Sequence, residues 1–154
     1  MLDAMDLYRV ARALHVRGVP VLPRVLRKLT MYLHGSFVPY EAAIGAGTEL
    51  GYGGLGVVIH PDASIGRSVF IGPHVVIGGR SQRSGAPRID DDVLIGAGAK
   101  VLGPIHVGER SVIGANAVVV SDVAAGAVMV GAPARQLRVV DTPGRWWEFD
   151  GAGP

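Results

Sequence analysis

Residues 89–119 read IDDDVL-IGAGAK-VLGPIH-VGERSV-IGANAV-V when broken into sixes. The first letter of every block is a β-branched aliphatic: Ile89, Ile95, Val101, Val107, Ile113 and Val119. Two places before most of them stands a small or aliphatic residue: Val93, Ala99, Ile105, Ser111 and Ala117. Gly directly follows Ile95, Val107 and Ile113. A period of six fits neither an amphipathic helix nor a simple alternating strand. It fits short extended segments joined by tight corners, because residues i and i−2 of a strand point to one side. Three segments then close a triangular coil, and stacked coils pair as parallel strands.

The pattern extends upstream. Ile59, Ile65, Ile71 and Ile77 keep the spacing, preceded by Val57, Ala63, Val69 and Val75 and followed by His60, Gly66, Gly72 and Gly78. Ile44 and Leu50 form a first, shorter pair. From Ile44 to about Val130 this predicts an all-β fold, a parallel β-helix of about five coils. The Gly after each inward aliphatic is expected to give the corner its backbone freedom. The register fails twice, at Gly51-Tyr52-Gly53-Gly54-Leu55-Gly56 and at Gly79–Pro87, where Arg83 falls on an aliphatic position. Such excursions on a rigid scaffold are where function tends to sit.

Composition agrees with a packed chain. Of 154 residues 23 are Gly and 10 are Pro, yet 49% are hydrophobic, which excludes a disordered polar chain. One domain is the default at this length. There is no cysteine, hence no disulfide, thiolate metal site or Cys nucleophile. This fits a reducing, cytoplasmic setting. Asp3 and Asp6 and the lack of a long apolar core argue against a signal peptide, and no apolar run is long enough to span a membrane. Net charge is +2, unevenly spread: residues 1–36 hold six bases and two acids, the rest nine and eleven. A solvated helix face accounts for that excess, and no nucleic-acid partner is argued from it.

Leu7, Val10, Ala11 and Leu14 follow helical spacing and predict a helix over 3–16, with Asp3 or Asp6 at its start and Gly18 after its end. Leu22, Val25, Leu26, Leu29 and Leu33 predict a second helix. A solenoid needs its open ends covered. The expected organisation is a helical cap over 1–36, the β-helix over 37–137 and a tail over 138–154. The last stretch, DTPGRWWEFDGAGP (141–154), reads as irregular, with Trp146, Trp147 and Phe149 either docked or frayed.

The hexads of 44–119, with IGAGAKVLGPIHVG (95–108), IGANAVV (113–119) and VGAPAR (130–135), resemble the hexapeptide-repeat acyltransferases, and among them serine acetyltransferase and its shorter relatives. The resemblance covers about 37–137. It implies a left-handed β-helix, a homotrimer and acetyl-CoA held in clefts between prisms. Only about 36 residues precede the repeat, where serine acetyltransferases carry a long helical domain that pairs trimers, so a trimer is expected. The family's Asp-His pair, in the loop before a GIVV-like strand, falls on Gly51 and Tyr52 here. Its substrate-contacting Arg-His falls on Gly85 and Ala86.

Acyl transfer from a thioester to a hydroxyl needs a base for the hydroxyl proton and donors for the oxyanion, with no metal and no covalent intermediate. Of His15, His34, His60, His74 and His106, His60 is the leading candidate for the base and His74 the second. His60 occupies a corner otherwise given to Gly, with Asp62 two residues on to orient it; the alternative is a His-Pro corner that merely stiffens the turn. His74, in Gly72-Pro73-His74-Val75, takes a corner one coil later and is expected to face the same cleft. Tyr52 is read as a substrate contact or as loop packing, and Asp62 as a second substrate contact. For coenzyme A, the resemblance implies Gly78, Gly79, Ala97 and Ala115 as small residues along the pantetheine arm. Lys100 and Arg135 then stand as candidate phosphate contacts, with Arg138, Arg80 and Arg83 further cations.

The leading function is acetyl-CoA-dependent O-acetyl transfer to serine or to a serine-like, sugar or pathway-specific hydroxyl. The main rival is a non-catalytic binding or assembly protein that has lost the Asp-His pair. A γ-carbonic-anhydrase-like zinc site from His60, His74 and His106 is more remote, because their spacing lacks the close His pair.

Overall fold

A computed structural model describes residues 3–140. The tail over 141–154, with Trp146, Trp147 and Phe149, lies outside the described residues.

Two helices come first, α1 (Ala4–Val16) and α2 (Leu22–His34). Asp3 and Asp6 start α1 together. The Asp3 carboxylate accepts the Asp6 N–H at 2.7 Å and the Asp6 carboxylate accepts the Asp3 N–H at 3.3 Å. That reciprocal cap satisfies two donors the helix would leave free. α2 has Pro23 in its first turn and stops at Gly35, whose φ of 60° lies in the left-handed region. Its seat is not the apolar stripe seen in the sequence. Pro23 and Thr30 are buried, while Leu22, Val25, Leu29 and Leu33 are 40–60% exposed.

The chain then winds into coils. The first is β1 (Ala43–Ile44), β2 (Glu49–Leu50) and β3 (Val58–Ile59). The second is β4 (Ser64–Ile65), β5 (Phe70–Ile71) and β6 (Val76–Gly78). The third is β7 (Arg88–Ile89), β8 (Leu94–Ile95) and β9 (Lys100–Leu102). The fourth is β10 (His106–Val107), β11 (Val112–Ile113) and β12 (Val118–Val119). A fifth turn is cut short: Val123 bridges Val107, β13 (Ala127–Val130) pairs with β11, and β14 (Arg135–Val139) folds back antiparallel. The expected count of about five is therefore four full coils and part of another. The two excursions hold three and six residues that the lattice does not use, since Ile77 to Val101 takes 24 residues where Val101 to Val119 takes 18.

Three faces result. The first stacks β1, β4, β7 and β10; the second β2, β5, β8, β11, β13 and β14; the third β3, β6, β9 and β12. Register puts the hexad aliphatics on top of one another: Ile44, Ile65, Ile89 and Val107; Leu50, Ile71, Ile95 and Ile113; Ile59, Ile77, Val101 and Val119. These columns are the core. Each wholly buried Ile or Val contributes about 1.5–3 kcal/mol.

The corners use glycine for a different reason than the sequence reading assumed. Gly66, Gly72, Gly96 and Gly108, at i+1, do not have positive φ. They are Gly because the next coil is too close. A Cβ on Gly72 would lie 2.7 Å from the Ala97 nitrogen, and one on Gly96 2.6 Å from that of Ala115. The left-handed residue comes two places later and is mostly not Gly: Ser68, His74, Asp92, Arg110 and Asn116 all have φ between 54° and 58°. Asn, Asp and His tolerate this region better than most residues. At the corner between the first and second faces, Arg67 clamps the next coil, its N–H and guanidinium reaching the Asp91 carboxylate at 2.7 and 2.8 Å. The backbone N–H first, then the guanidinium, hold the Asp91 pKa below the ordinary carboxylate value. The clamp is complete above about pH 4 and is lost as pH falls through the lowered value.

α1 covers the open end. Ala4, Met5 and Tyr8 join the core beside Val38, Ala42 and Leu50. The Tyr8 hydroxyl donates to the Ala42 carbonyl at 2.8 Å and accepts the Ile44 N–H at 3.2 Å. One phenol thus replaces the missing neighbour strand along β1.

Substitutions separate the two corner roles. Gly96→Ala is expected to cost about 3 kcal/mol by overpacking backbone. Arg110→Gly should leave stability unchanged or raised by up to about 1 kcal/mol, since it removes a side chain from a left-handed site. Urea unfolding followed by circular dichroism measures both; a fully stable Gly96→Ala would show that coil contact is not what excludes a side chain there.

Candidate functional site

The sequence-predicted site residues fall on two corners at opposite edges of the third face. At the corner between the third and first faces stand His60, Asp62, Gly78 and Gly79. His60 follows β3, and its N–H donates to the Ile77 carbonyl at 2.8 Å. The ring's Nδ1 accepts the backbone N–H of Asp62 at 3.1 Å. The Asp62 carboxylate is 3.9 Å away and its side chain is 79% exposed. So Asp62 holds the imidazole through its backbone N–H rather than its carboxylate. A backbone N–H can only donate, so Nδ1 carries the lone pair and the neutral ring keeps its proton on Nε2. His60 therefore presents a donor.

That donor lies beside Gly79. A Cβ on Gly79 would have nothing nearer than 3.8 Å, with His60 Nε2 and the Gly85 carbonyl at that distance. On Gly78 it would meet Leu102 at 3.4 Å. The 79–87 excursion leaves from here. It turns at Arg80–Arg83, where the Arg83 N–H reaches the Arg80 carbonyl at 3.1 Å, and returns with Gly85 against Pro104.

The corner between the second and third faces holds the rest. Tyr52 lies in a 3-10 turn, Gly51–Gly54, with φ of 52° and 85% exposure. Its ring is on the surface rather than packed in the loop. One coil below, the His74 N–H donates to the Leu55 carbonyl at 2.8 Å. The His74 imidazole occupies the space a side chain on Gly56 would need, and the Gly56 φ of 66° favours glycine as well. Among the described residues the His74 ring has no hydrogen-bond partner. Ala97 and Ala115 follow beneath, both exposed, with the Asn116 N–H on the Ala97 carbonyl at 2.9 Å. Lys100, outward on β9, turns its ammonium to the Gly98 carbonyl at 2.8 Å, toward this corner. Arg135 opens β14 at the lower end, its guanidinium on the Ala134 carbonyl at 2.9 Å.

One chain therefore brings His74, Tyr52, Ala97, Ala115, Lys100 and Arg135 into one column, and His60, Asp62, Gly78 and Gly79 into another. Contrary to expectation, His60 and His74 do not share a cleft within the chain. Outward Val58, Val76 and Val118 of the third face lie between them. His106 is elsewhere again, on the first face. Among the described residues no group of three His, Cys, Asp or Glu is placed to hold a metal.

One pairing went unseen in the sequence. His106 Nε2 lies 2.7 Å from the Asp90 carboxylate, and its backbone N–H donates to Asp122 at 2.8 Å. The signal was there: His106 pairs in register with Arg88, so Asp90, two residues on, falls within reach. Gly56 was also missed as the seat of His74, because its partner lies one coil away.

Comparison with known proteins follows the same lines. The family model described as bacterial transferase hexapeptide (six repeats) matches residues 86–121. A serine acetyltransferase of Helicobacter pylori J99 is 41% identical over 138 residues, covering 88% of this chain and 80% of that protein. A serine acetyltransferase of Synechococcus elongatus is 40% identical over 137 residues, covering 88% of this chain and 56% of the relative. The crystal structure of a Brucella abortus serine acetyltransferase in complex with coenzyme A superposes with a TM-score of 0.84 at 32% identity, covering 89% of this chain and 55% of that one. The chain thus spans little more than half the length of the latter two. Its coils match the left-handed β-helix of these proteins.

The His60 geometry makes a spectroscopic prediction. Imidazole nitrogen NMR at a pH where the ring is neutral should show the Nε2–H tautomer for His60. An Nδ1–H tautomer would mean that the Asp62 hydrogen bond is absent in solution.

Proposed function

This chain belongs to the serine acetyltransferase family, and we propose that it transfers an acetyl group from acetyl-CoA to the hydroxyl of a small acceptor. Serine is the first acceptor to test, since the relatives are named for it; a serine-like, sugar or pathway-specific hydroxyl belongs to the same class. The observation that carries the proposal is His74 seated against Gly56. It supplies an imidazole at the corner whose Gly51 and Tyr52 lack the family's Asp-His pair.

In this reading His74 is the general base. Neither ring nitrogen is engaged among the described residues, so one can accept the acceptor's hydroxyl proton as the oxygen attacks the thioester carbonyl. The tetrahedral oxyanion then collapses, the C–S bond breaks, and the proton passes to the leaving thiolate of coenzyme A. His60, with its proton on Nε2, is suited to donate to the oxyanion or to a donor carbonyl. No metal and no covalent enzyme intermediate enters. The small residues Gly78, Gly79, Ala97 and Ala115 let the pantetheine arm approach the backbone, and Lys100 and Arg135 face its phosphates. Tyr52 and Asp62 border the acceptor.

Because His60 and His74 sit at opposite edges of the third face, the reading requires a homotrimer in which neighbouring prisms bring one edge against the other. The outward valines between those edges support such packing. A cytoplasmic setting goes with an intracellular thioester donor. No helix among the described residues is long and apolar enough to cross a membrane.

Gly51 and Tyr52 favour a second reading, a β-helix that binds or assembles but does not turn over. Thiol release with serine and related acceptors separates the two. We expect acetyl-CoA to raise the melting temperature, and His74→Ala to lower kcat by about 10²–10⁴-fold with little change in KM for acetyl-CoA. His60→Ala should cost about 10²–10³-fold. Wild-type turnover in His74→Ala would overturn the base assignment. Binding of acetyl-CoA without thiol release from any acceptor would favour the non-catalytic reading.

A further inference from the structure

α1 does not close fully over the top of the prism. Between the helix and the first coil lies a shallow groove, widely open to solvent, of about 460 Å³, within the usual range for small-ligand sites, about 300–1,000 Å³. Its floor is apolar, made by Ala43, Ile44, Ile65 and the backbone of Gly45. Its wall is α1, which places Arg9 and Arg12 on neighbouring turns of one face. No acidic side chain lines it.

The polar groups around it are unequally engaged. The Tyr8 hydroxyl is fully used on Ala42 and Ile44. Arg12 spends Nη1 on the Tyr40 and Glu41 carbonyls, at 2.8 and 3.0 Å. Those bonds anchor its guanidinium, and its remaining N–H groups have no described partner. Arg9 has one carboxylate near it, Asp6 at 3.7 Å, with both side chains about half exposed. Such a pair is screened and weak. The groove therefore carries two cationic forks at its lip and hydrocarbon at its base.

We propose that this groove binds a small amphiphilic carboxylate, its head group on Arg9 and Arg12 and its apolar body over Ile44 and Ile65. A guanidinium fork matches a carboxylate with two parallel hydrogen bonds, and the apolar floor favours a hydrocarbon chain over water. The site lies at the top of the prism by the first face, away from both edges of the third face. It does not depend on the catalytic proposal.

Calorimetric titration of the full chain with sodium octanoate and sodium benzoate tests it. Octanol and inorganic phosphate, each carrying half of the recognition, are the controls. Saturable binding of a carboxylate is expected, at least about tenfold tighter than either control. Arg9→Ala should weaken it about tenfold. Ala13→Leu, which adds a side chain at the lip from an exposed helix position, should abolish it. Circular dichroism checks that both variants keep the wild-type fold; both positions are exposed, so it is expected to be unchanged. No saturable carboxylate binding at roughly 10 mM, equal affinity for phosphate, or unchanged affinity in both variants would each overturn the proposal.

Discussion

The parallel ladder spaces everything in this molecule. Hydrogen bonds between coils set a separation of about 4.8 Å, and each residue must tolerate its counterparts above and below at that distance. Inside, the constraint produces columns of Ile and Val. At the corners it excludes side chains where backbone meets backbone, which is why Gly72 and Gly96 carry none. Two residues further on the backbone turns left-handed, and there Ser68, His74, Asp92, Arg110 and Asn116 point outward. His74 occupies this left-handed position, where its N–H still bonds the Leu55 carbonyl of the coil above and its ring lies against Gly56.

Much of this was legible in the residues. The six-residue spacing of Ile89 to Val119 specified which side chains are inside, because a triangular coil has few other ways to hide a period of six. Asp3 and Asp6 announced the start of α1. The reason for the glycines was not legible, since close approach and left-handed geometry leave the same letter in the sequence. The orientation of α2 was also hidden. Its apolar stripe predicts a helix, but which face is buried depends on its packing against α1, where Pro23 and Thr30 and not the leucines are covered. Residues 51–56 and 79–87 were recognisable as interruptions, but their lengths shortened the solenoid relative to a simple count.

The site was harder to read because neighbours in a solenoid are column-mates, not sequence-mates. His60 and His74 are 14 residues apart and look like partners. They are on different corners, because fewer than a coil's eighteen residues separates them. His74 instead belongs with Gly56, Ala97 and Ala115, and His106 with Arg88 and Asp90. The hydrogen bond from the Asp62 backbone to His60 could not be read from residue types at all. It leaves the neutral imidazole with its proton on Nε2, a donor toward solvent rather than an acceptor.

The two excursions have a further meaning. Both leave and re-enter the lattice at corners, and their extra residues are looped out of it, so the strands that follow pair in register and the inward columns stay intact. A corner therefore works as a splice point: chain can be inserted, trimmed or exchanged there without refolding the prism. The scaffold and its surface chemistry are then editable separately.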